Sequence, residues 1–372
     1  MEGQFPSDVP NPLDKEDPPK KPMNEDEGSS GSDTVTSLSP PPHGRRRIWS
    51  LVDLYPRIIL YHQTIYKNNG EDYVDLEFVF RANPGLTHLI IAAVHINEDP
   101  KKITLNDDPF DADKYVRFWV QLEDVRTSGV RVMAMIGGAA QGTFERLDGP
   151  DREFERYYAP LRDVLKKYKF DGVDLDVEEL MSQRGIQRLI LRLRMDFGVE
   201  FIITLAPVCT ALIPGQRHLS GFDYFTLEEE FGVCIDWYNV QFYNGWGSPR
   251  FYPMLIKLGW PAEKLAMGVL TNPANGTDYL SIFRVGFYLT HILERYPDAG
   301  GVFGWELFNA LEHENLDAQE WIFRMALIYA MKRALDHEDG KLLIKAEKIN
   351  MKQEIEDERL ARGLEEERKK FQ

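Results

Sequence analysis

Residues 170–179, Phe-Asp-Gly-Val-Asp-Leu-Asp-Val-Glu-Glu, decide how the rest of the sequence is interpreted. In a β-strand, successive side chains point to opposite faces, so three apolar residues share one face and Asp174, Asp176 and Glu178 share the other. Three carboxyl groups in a column on a strand with an apolar opposite face repel one another and lose hydration. Because this arrangement costs stability, we interpret the stretch as an active-site strand, with Glu178 where the strand runs out into a loop. The alternative is the polar face of a solvent-exposed edge strand.

The composition indicates which kinds of binding partner and which stabilising features the protein can have. The 372-residue chain has a formal net charge of −16 at pH 7, which argues against a nucleic-acid or anionic-membrane partner and suits a neutral or cationic one. A hydrophobic content of 43% is enough for a substantial core. The only two cysteines, Cys209 and Cys234, exclude a disulfide framework but leave one bridge open. No apolar run is long enough to span a bilayer.

The two ends of the chain differ in composition from its middle. Residues 1–47 are rich in Pro, Ser, Gly and charged side chains; they cannot bury enough apolar surface to offset the entropy of ordering, so we predict a disordered tail. The N-terminus has neither the basic region nor the apolar core of a secretory signal, so we expect an intracellular protein, with non-classical secretion as the alternative. Residues 339–372 carry mixed charges at helical spacing and predict a solvated helical tail. Residues 48–338 are expected to form one catalytic domain.

The middle region repeats a unit of one strand and one helix. Most intervals between its apolar runs carry a helical pattern, as in Tyr115, Phe118, Trp119 and Leu122. Eight alternations of strand and helix predict a (β/α)8 TIM barrel, and the alternative, an open doubly wound sheet, lacks a GxGxxG or GxxxxGK[ST] phosphate loop to support it. The runs with strand character are residues 58–61, 89–94, 130–136, 172–177, 201–205, 237–242, 265–269 and 301–305.

In a barrel of this kind, chemistry takes place at the carboxyl ends of the strands. The fourth run ends in the acidic column, the sixth ends with Gln241 and Tyr243 on one face, and the eighth ends with Trp305. A phenol at such a position can donate a hydrogen bond into the barrel mouth, and a flat indole can bind the C–H face of a sugar. Gly137 and Gly138, which end the third run, allow a substrate to approach the backbone closely. Taken singly, each feature is explained equally well by packing or by a turn.

Together these residues resemble glycoside hydrolase family 18, the family of chitinases and endo-β-N-acetylglucosaminidases. The motif Asp-Gly-x-Asp-x-Asp-x-Glu is complete at residues 171–178. Gln-Phe-Tyr-Asn at 241–244 and Gly-Trp at 304–305 are similar to the sixth- and eighth-strand motifs of the family. The resemblance extends over residues 57–335, nearly the whole predicted barrel.

Two positions depart from the pattern of the family. Met135 stands where the third-strand motif has a serine, and Asn244 stands where many members have an aspartate. These departures leave specificity and pH profile open more than activity. The interval 269–301 leaves room for little more than one helix, so the resemblance implies a barrel without the large inserted α+β subdomain of deep-cleft members. We therefore expect a shallow groove and endo-type cleavage.

The resemblance also implies a substrate-assisted mechanism. Glu178 is the acid, and its neighbours Asp174 and Asp176 are expected to raise its pKa. Asp176 holds the acetamido N–H of the substrate, Asp174 supplies the charge behind it, and Tyr243 donates to the acetamido oxygen. The residues that the strand ends and the resemblance assign to sugar binding are Tyr61, Gly137, Gly138, Gln241, Asn244, Trp246 and Trp305.

The expected activity is that of a retaining, endo-acting chitinase, a monomer that needs no metal or organic cofactor. Its partner is an oligo- or polysaccharide that contains N-acetylglucosamine. One alternative is an endo-β-N-acetylglucosaminidase acting on N-glycan cores, which an intracellular location would suit. Another is a non-catalytic lectin-like protein, which the presence of Glu178 disfavours. A divalent-metal site is a further interpretation of the acidic column, but no histidine cluster or second acidic strand end completes it.

Overall fold

The computed structural model describes residues 56–67, 70–82 and 85–333. The expected tails, 1–47 and 339–372, and the expected lack of a signal sequence concern residues outside these ranges. The strands of the described region are β1 Arg57–His62, β2 Tyr66–Lys67, β3 Asp72–Tyr73, β4 His88–Ile96, β5 Ile103–Leu105, β6 Asp108–Pro109, β7 Arg131–Gly137, β8 Gly172–Asp176, β9 Ile202–Leu205, β10 Trp237–Gln241, β11 Leu265–Leu270 and β12 Gly301–Trp305. Its helices are α1 Glu77–Ala82, α2 Val116–Thr127, α3 Thr143–Leu147, α4 Asp151–Lys167, α5 Gln183–Phe197, α6 Tyr224–Phe231, α7 Tyr252–Lys257, α8 Ile282–Arg295 and α9 Ala318–Arg333.

Eight of these strands close into a parallel barrel. Their order is β1, β4, β7, β8, β9, β10, β11 and β12, and β12 pairs in parallel with β1 to complete the ring. Helices connect successive strands on the outside, which confirms the predicted (β/α)8 barrel. Two short strands add to the ring: β5 pairs antiparallel with the end of β4, and β6 pairs antiparallel with β5. Strands β2 and β3 pair in a small separate ribbon.

Side chains alternate between the inside of the barrel and the layer beneath the helices. In β1, Ile59 and Tyr61 point inward, whereas Ile58 and Leu60 pack into the large core between sheet and helices. A slip of one residue would exchange the two sets, so burial on both faces fixes the register. The inward apolar residues, called here the interior cluster, are Ile59, Tyr61, Ile90, Ala92, Ala93, Met133, Met135, Trp237, Tyr243, Ala266, Leu270 and Phe303.

Local sequence signals set the ends of the helix that follows the acidic strand. Ser182 is the N-cap of α5, and its hydroxyl oxygen accepts a hydrogen bond from the Gly185 N–H. Gly198, with φ of 80°, follows the last turn, where a residue with a Cβ would be strained. The apolar stripe of the helix packs inward through Ile186 and Leu189. The loop between β8 and α5, which carries Glu178, therefore ends at a capped helix N-terminus.

The connection from β11 to β12 is compact. It contains one 3-10 turn, Pro273–Asn275, and the single helix α8. No α+β subdomain is inserted there, as the sequence predicted. The disulfide that the composition left open is not formed, and Cys209 and Cys234 are both buried. Within the described residues, no helix is both long and apolar enough to cross a membrane.

Candidate active site

The acidic column lies inside the barrel at its carboxyl end. Asp174 and Asp176 are 0% and 7% exposed and alternate with Val173 and Leu175, which pack beneath the helices. Glu178 follows the strand and is partly buried. The alternation is the one predicted from the sequence, and the burial excludes an exposed edge strand.

Asp174 is held by three hydrogen-bond donors from three other strands. Tyr61 Oη donates to Oδ2 at 2.7 Å, while Thr204 Oγ1 and Asn239 Nδ2 donate to Oδ1 at 2.6 and 3.0 Å. Burial raises the pKa of Asp174, and the three donors oppose that rise because they stabilise the ionised form. This arrangement satisfies a carboxyl group that is fully removed from solvent.

Asp176 and Glu178 are close enough for their charges to interact, and Gln241 lies beside both. Gln241 Nε2 donates to Asp176 Oδ1 at 3.2 Å and also to the Ala206 carbonyl oxygen at 2.9 Å. Burial raises the pKa of Asp176 well above its ordinary value, and the charges of Glu178 and Asp174 raise it further. Burial also raises the pKa of Glu178, and the Gln241 amide opposes this rise. The neighbouring aspartates, to which the sequence interpretation attributed the raised pKa of Glu178, are therefore not its leading cause.

Three aromatic side chains surround the column. Burial first, and then the charge of Asp176, raise the pKa of Tyr243 well above its ordinary value, so its hydroxyl stays protonated and able to donate. Burial and the contact with Asp174 do the same for Tyr61. Trp305 packs against the interior cluster, with its ring centroid 5.5 Å from that of Tyr61. The structure thus brings together aromatic and acidic residues from the first, fourth, sixth and eighth barrel strands.

The two glycines at the end of β7 lie against the acidic strand. The Gly138 N–H donates to the Asp176 carbonyl oxygen at 2.9 Å, and φ is 93° at Gly137 and 91° at Gly138. A Cβ at Gly137 would lie 2.3 Å from Phe144 and 2.6 Å from the Asp176 carbonyl oxygen. Close packing of the two strand ends therefore requires glycine here.

Two residues assigned to sugar binding from sequence have other contacts. Asn244 is exposed, and its Oδ1 accepts a hydrogen bond from the Thr277 N–H at 2.8 Å. Trp246 packs against the core between sheet and helices, not against the interior cluster. The structure therefore does not group either side chain with the aromatic residues of the barrel mouth.

The remaining acids of residues 170–179 have structural contacts. Asp171 Oδ2 accepts the Val132 N–H at 2.8 Å, at the amino end of the barrel. Glu179 accepts the N–H groups of Gly142 and Phe144, both at 2.6 Å, and so fixes the loop after β7. These contacts agree with the strand parity, which puts both residues off the acidic column.

Three residues of the site were not identified from the sequence. Thr204 and Asn239 hold Asp174, and Asn239 could have been found from parity because it alternates with Gln241 along β10. Glu306 accepts the Gln63 and Thr64 N–H groups at 2.9 Å each, which ties the loop after β1 to the residue next to Trp305. No sequence pattern signals that last contact.

Metal binding has no support in this part of the molecule. Among residues 56–67, 70–82 and 85–333, no group of three or more His, Cys, Asp or Glu side chains is arranged to hold a metal ion. The acidic column is satisfied by hydroxyl and amide donors, which would compete with a cation for the same oxygens.

Comparison with known proteins gives the same assignment as the site. The family model described as "Glycosyl hydrolases family 18" matches residues 57–281. The structure of chitinase ChiC from Aspergillus fumigatus is 49% identical, with a TM-score of 0.68, and the match covers 73% of this chain and 99% of that one. A fungal endo-β-N-acetylglucosaminidase of family 18 is 39% identical, with a TM-score of 0.69, over 73% of this chain and 98% of that one.

Curated sequences match over a shorter stretch. Endochitinase 37 of Trichoderma harzianum is 25% identical over 156 residues, which are 37% of this chain and 45% of that protein. The chain spans about half the length of the curated relatives it matches. The family match nevertheless covers more than half of this chain and includes the acidic column, and the chain belongs to glycosyl hydrolase family 18.

Proposed function

We propose that this chain is a retaining, endo-acting chitinase that hydrolyses β-1,4 bonds between N-acetylglucosamine units. The observation that carries the proposal is that Asp176 and Glu178, whose charges interact, lie at the carboxyl end of the barrel beside Gln241 and near Tyr243. The pair offers one carboxyl group that can hold a proton and one that can stabilise a positive charge.

Glu178 is the general acid. Burial raises its pKa and so favours the protonated form that a general acid needs. It transfers that proton to the glycosidic oxygen as the bond from this oxygen to C1 breaks. After the leaving sugar departs, the Glu178 carboxylate takes a proton from the incoming water.

The nucleophile is the 2-acetamido oxygen of the substrate, as the family resemblance implies. This oxygen attacks C1 and forms an oxazolinium intermediate, which water opens with net retention of the anomeric configuration. Asp176 accepts the acetamido N–H and stabilises the positive charge, while Tyr243 donates to the acetamido oxygen. Holding the attacking oxygen next to C1 can contribute about 7–11 kcal/mol to lowering the barrier.

The charge of Asp174 acts through Asp176. Three donors favour the ionised form of Asp174, and its negative charge disfavours ionisation of Asp176. The ionised form of Asp176 is therefore stabilised most when the positively charged intermediate lies next to it. This step demands an N-acetyl group at the cleaved sugar, so cellulose and xylan are excluded as substrates.

The absence of an inserted subdomain supports the proposal of cleavage within chains. The connection between β11 and β12 holds one short turn and one helix, so it adds no domain that would enclose a polymer at the mouth. Endo-type cleavage predicts that soluble products of several lengths accumulate early in the reaction.

A second candidate activity is that of an endo-β-N-acetylglucosaminidase on the chitobiose core of N-glycans. It is favoured by the 39% identity to a fungal enzyme of that name, almost the whole length of which is matched. The same acid and the same acetamido chemistry serve both substrates, so the distinction depends on what the groove accepts on either side of the cleaved bond.

The test compares Glu178→Gln with wild type on a fluorogenic chitobioside and on a high-mannose glycopeptide. Glutamine has nearly the same shape but cannot donate the proton, so we expect kcat to fall by about 10²–10⁴. A matched control is Glu200→Gln, which changes an exposed side chain just before β9, at the amino end of the barrel.

Each outcome has a distinct meaning. Equal activity of Glu178→Gln and wild type would refute the assignment of the acid. Cleavage of the glycopeptide alone would replace the chitinase proposal with the second candidate. Binding of both substrates without cleavage by wild type would indicate a lectin-like protein. Proton NMR of the first product formed reports its anomer, and an inverted anomer would contradict the mechanism.

A further inference from the structure

Tyr279 is an aromatic residue at the barrel mouth that the mechanism does not use. Three apolar side chains in the described part of the chain pack, partly buried, against the interior cluster: Ile202, Tyr279 and Trp305. Ile202 begins β9 and so lies at the amino end of the barrel. Tyr279 follows β11 and Trp305 ends β12, so both lie at the carboxyl end, where the acidic column is.

The loop that carries Tyr279 is fastened to the backbone next to Tyr243. The Thr277 N–H donates to Asn244 Oδ1 at 2.8 Å, and the Asn244 N–H donates to the Thr277 carbonyl oxygen at 3.1 Å. The Gly245 N–H donates to Asp278 Oδ2 at 2.7 Å. Asn244 has φ of 55°, a conformation that asparagine tolerates better than most residues.

The side chain of Tyr279 is fixed on its other side by the loop after β12. Its hydroxyl donates to Glu314 Oε1 at 2.8 Å. Its ring lies edge-to-face with His313, with the ring centroids 4.9 Å apart and the planes at 89°. A tyrosine held at both its hydroxyl and its ring edge has lost its rotational freedom before any ligand arrives, which lowers the entropic cost of binding.

The position of Tyr279 around the barrel indicates which sugar it can reach. In the proposed mechanism Glu178, which follows the fourth barrel strand, protonates the leaving oxygen, and we place the leaving sugar on that side. Trp305 ends the eighth strand and Tyr279 follows the seventh, on the opposite side of the ring. The sugars that stay bound during cleavage, on the non-reducing side, therefore extend toward Trp305 and Tyr279.

We propose that Tyr279 forms a second aromatic surface beside Trp305, which binds the sugar unit on the non-reducing side of the one that is cleaved. The contact is between the C–H face of a pyranose ring and the tyrosine ring. Asn244 acts as a positioning residue, because it holds the Tyr279 loop and does not touch the sugar. This inference rests on the proposed glycosidase function and adds a specificity-determining residue to it.

The test measures how much a second sugar unit contributes to kcat/KM. Wild type and Tyr279→Ala are assayed on an aryl N-acetylglucosaminide and on the matching aryl chitobioside, which differ only by the sugar on the non-reducing side. We expect the ratio of the two kcat/KM values to fall about tenfold in Tyr279→Ala, the effect of removing one well-packed aromatic contact. Tyr279→Phe keeps the ring and is expected to keep most of the ratio.

Two further variants separate binding from general damage. Tyr288→Ala is the matched control, because Tyr288 is also partly buried with a hydrogen-bonded hydroxyl but lies on α8, outside the barrel. Its ratio is expected to equal that of wild type. Asn244→Gly removes the acceptor for Thr277 without backbone strain and should lower the ratio, whereas Asn244→Asp keeps the acceptor and should preserve it.

The failure of this inference can be distinguished from the failure of the proposed function. A folded Tyr279→Ala enzyme with an unchanged ratio would overturn the role of Tyr279 and leave the activity intact. If wild type cleaves neither glycoside, calorimetric titration of Glu178→Gln with both compounds decides. Tighter binding of the chitobioside that is lost with Tyr279→Ala supports the subsite, and binding of neither compound overturns both proposals.

Discussion

Replacing Thr204 with valine tests how the protein tolerates a carboxyl group buried inside its barrel. Thr204 Oγ1 donates to Asp174 Oδ1 at 2.6 Å, and neither residue has exposed surface. Valine nearly matches threonine in shape, so the change removes one of three donors without opening a cavity. A hydrogen bond to an ionised group contributes about 1.5–3 kcal/mol, and we expect the free energy of unfolding at pH 7 to fall by that amount.

The loss should depend on pH in a defined direction. Burial raises the pKa of Asp174 above its ordinary value. A carboxyl group with a raised pKa lowers stability as pH rises from its unfolded pKa through its folded pKa. Removing one donor raises the folded pKa further, because the ionised form loses a hydrogen bond that stabilises it. The extra loss of stability in Thr204→Val therefore appears above the folded pKa of the wild type. At pH values below both the unfolded and the folded pKa, where the carboxyl is neutral, the variant should lose less stability.

Urea unfolding followed by circular dichroism across a pH series measures this effect. The matched control is Thr290→Val on α8, because the buried Thr290 Oγ1 has no hydrogen-bond partner and its removal should change little at any pH. The acidic limb of the kcat/KM profile should also move to higher pH in Thr204→Val. Equal destabilisation at every pH, or a loss no larger than that of Thr290→Val, would refute the argument.

Two other substitutions test the mouth of the barrel. Tyr243→Phe should lower kcat by about 10²–10³, the usual cost of losing one donor to a reacting oxygen, with little change in melting temperature; an unchanged kcat would remove Tyr243 from the mechanism. Gly137→Ala should lower the free energy of unfolding by about 2–5 kcal/mol, because its φ is 93° and its Cβ would meet Phe144 and the Asp176 carbonyl oxygen. Gly129→Ala, with φ of 94° and open space around the Cβ, isolates the backbone strain at about 1–2 kcal/mol; equal losses at the two glycines would show that the clash is relieved.

The fold could be predicted because each of its signals is local. The strands are short apolar runs, and the alternation of Asp174 and Asp176 with Val173 and Leu175 sets which face of β8 looks inward. Eight repeats of one local unit leave few ways to bury both faces of the sheet, and closure into a barrel is the solution that the structure adopts. The spacing from Leu270 to Gly301 likewise limits what can be inserted, because a chain of that length holds one helix and its turns.

The partners of the acids could not be predicted in the same way, because they depend on pairing between strands. Thr204 lies opposite Asp174 only in the register of β8 and β9, which no local pattern specifies. Trp246 follows the sixth strand in a stretch that suggested a sugar contact, yet its loop turns it toward the outer core. Asn244 is next to Tyr243 in sequence, but its side chain is bonded to Thr277 in another loop. These contacts follow from which loops meet at the mouth.

The free-energy cost of burying three neighbouring carboxyl groups is offset in a different way for each acid. Asp174 has three donors and no solvent, so its hydrogen bonds favour a fixed charge. Asp176 has a single side-chain donor, and burial together with the charges of two acidic neighbours raises its pKa. Glu178 is only partly buried, and its pKa rises mainly through lost hydration. In the proposed mechanism, positive charge develops at the acetamido group as the bond to C1 breaks, and this charge would favour the ionised form of Asp176. The three acids thus differ in what offsets their burial: Asp174 has fixed donors, Asp176 would have the charge of the intermediate, and Glu178 keeps partial contact with solvent, which suits a group that exchanges a proton with substrate and water.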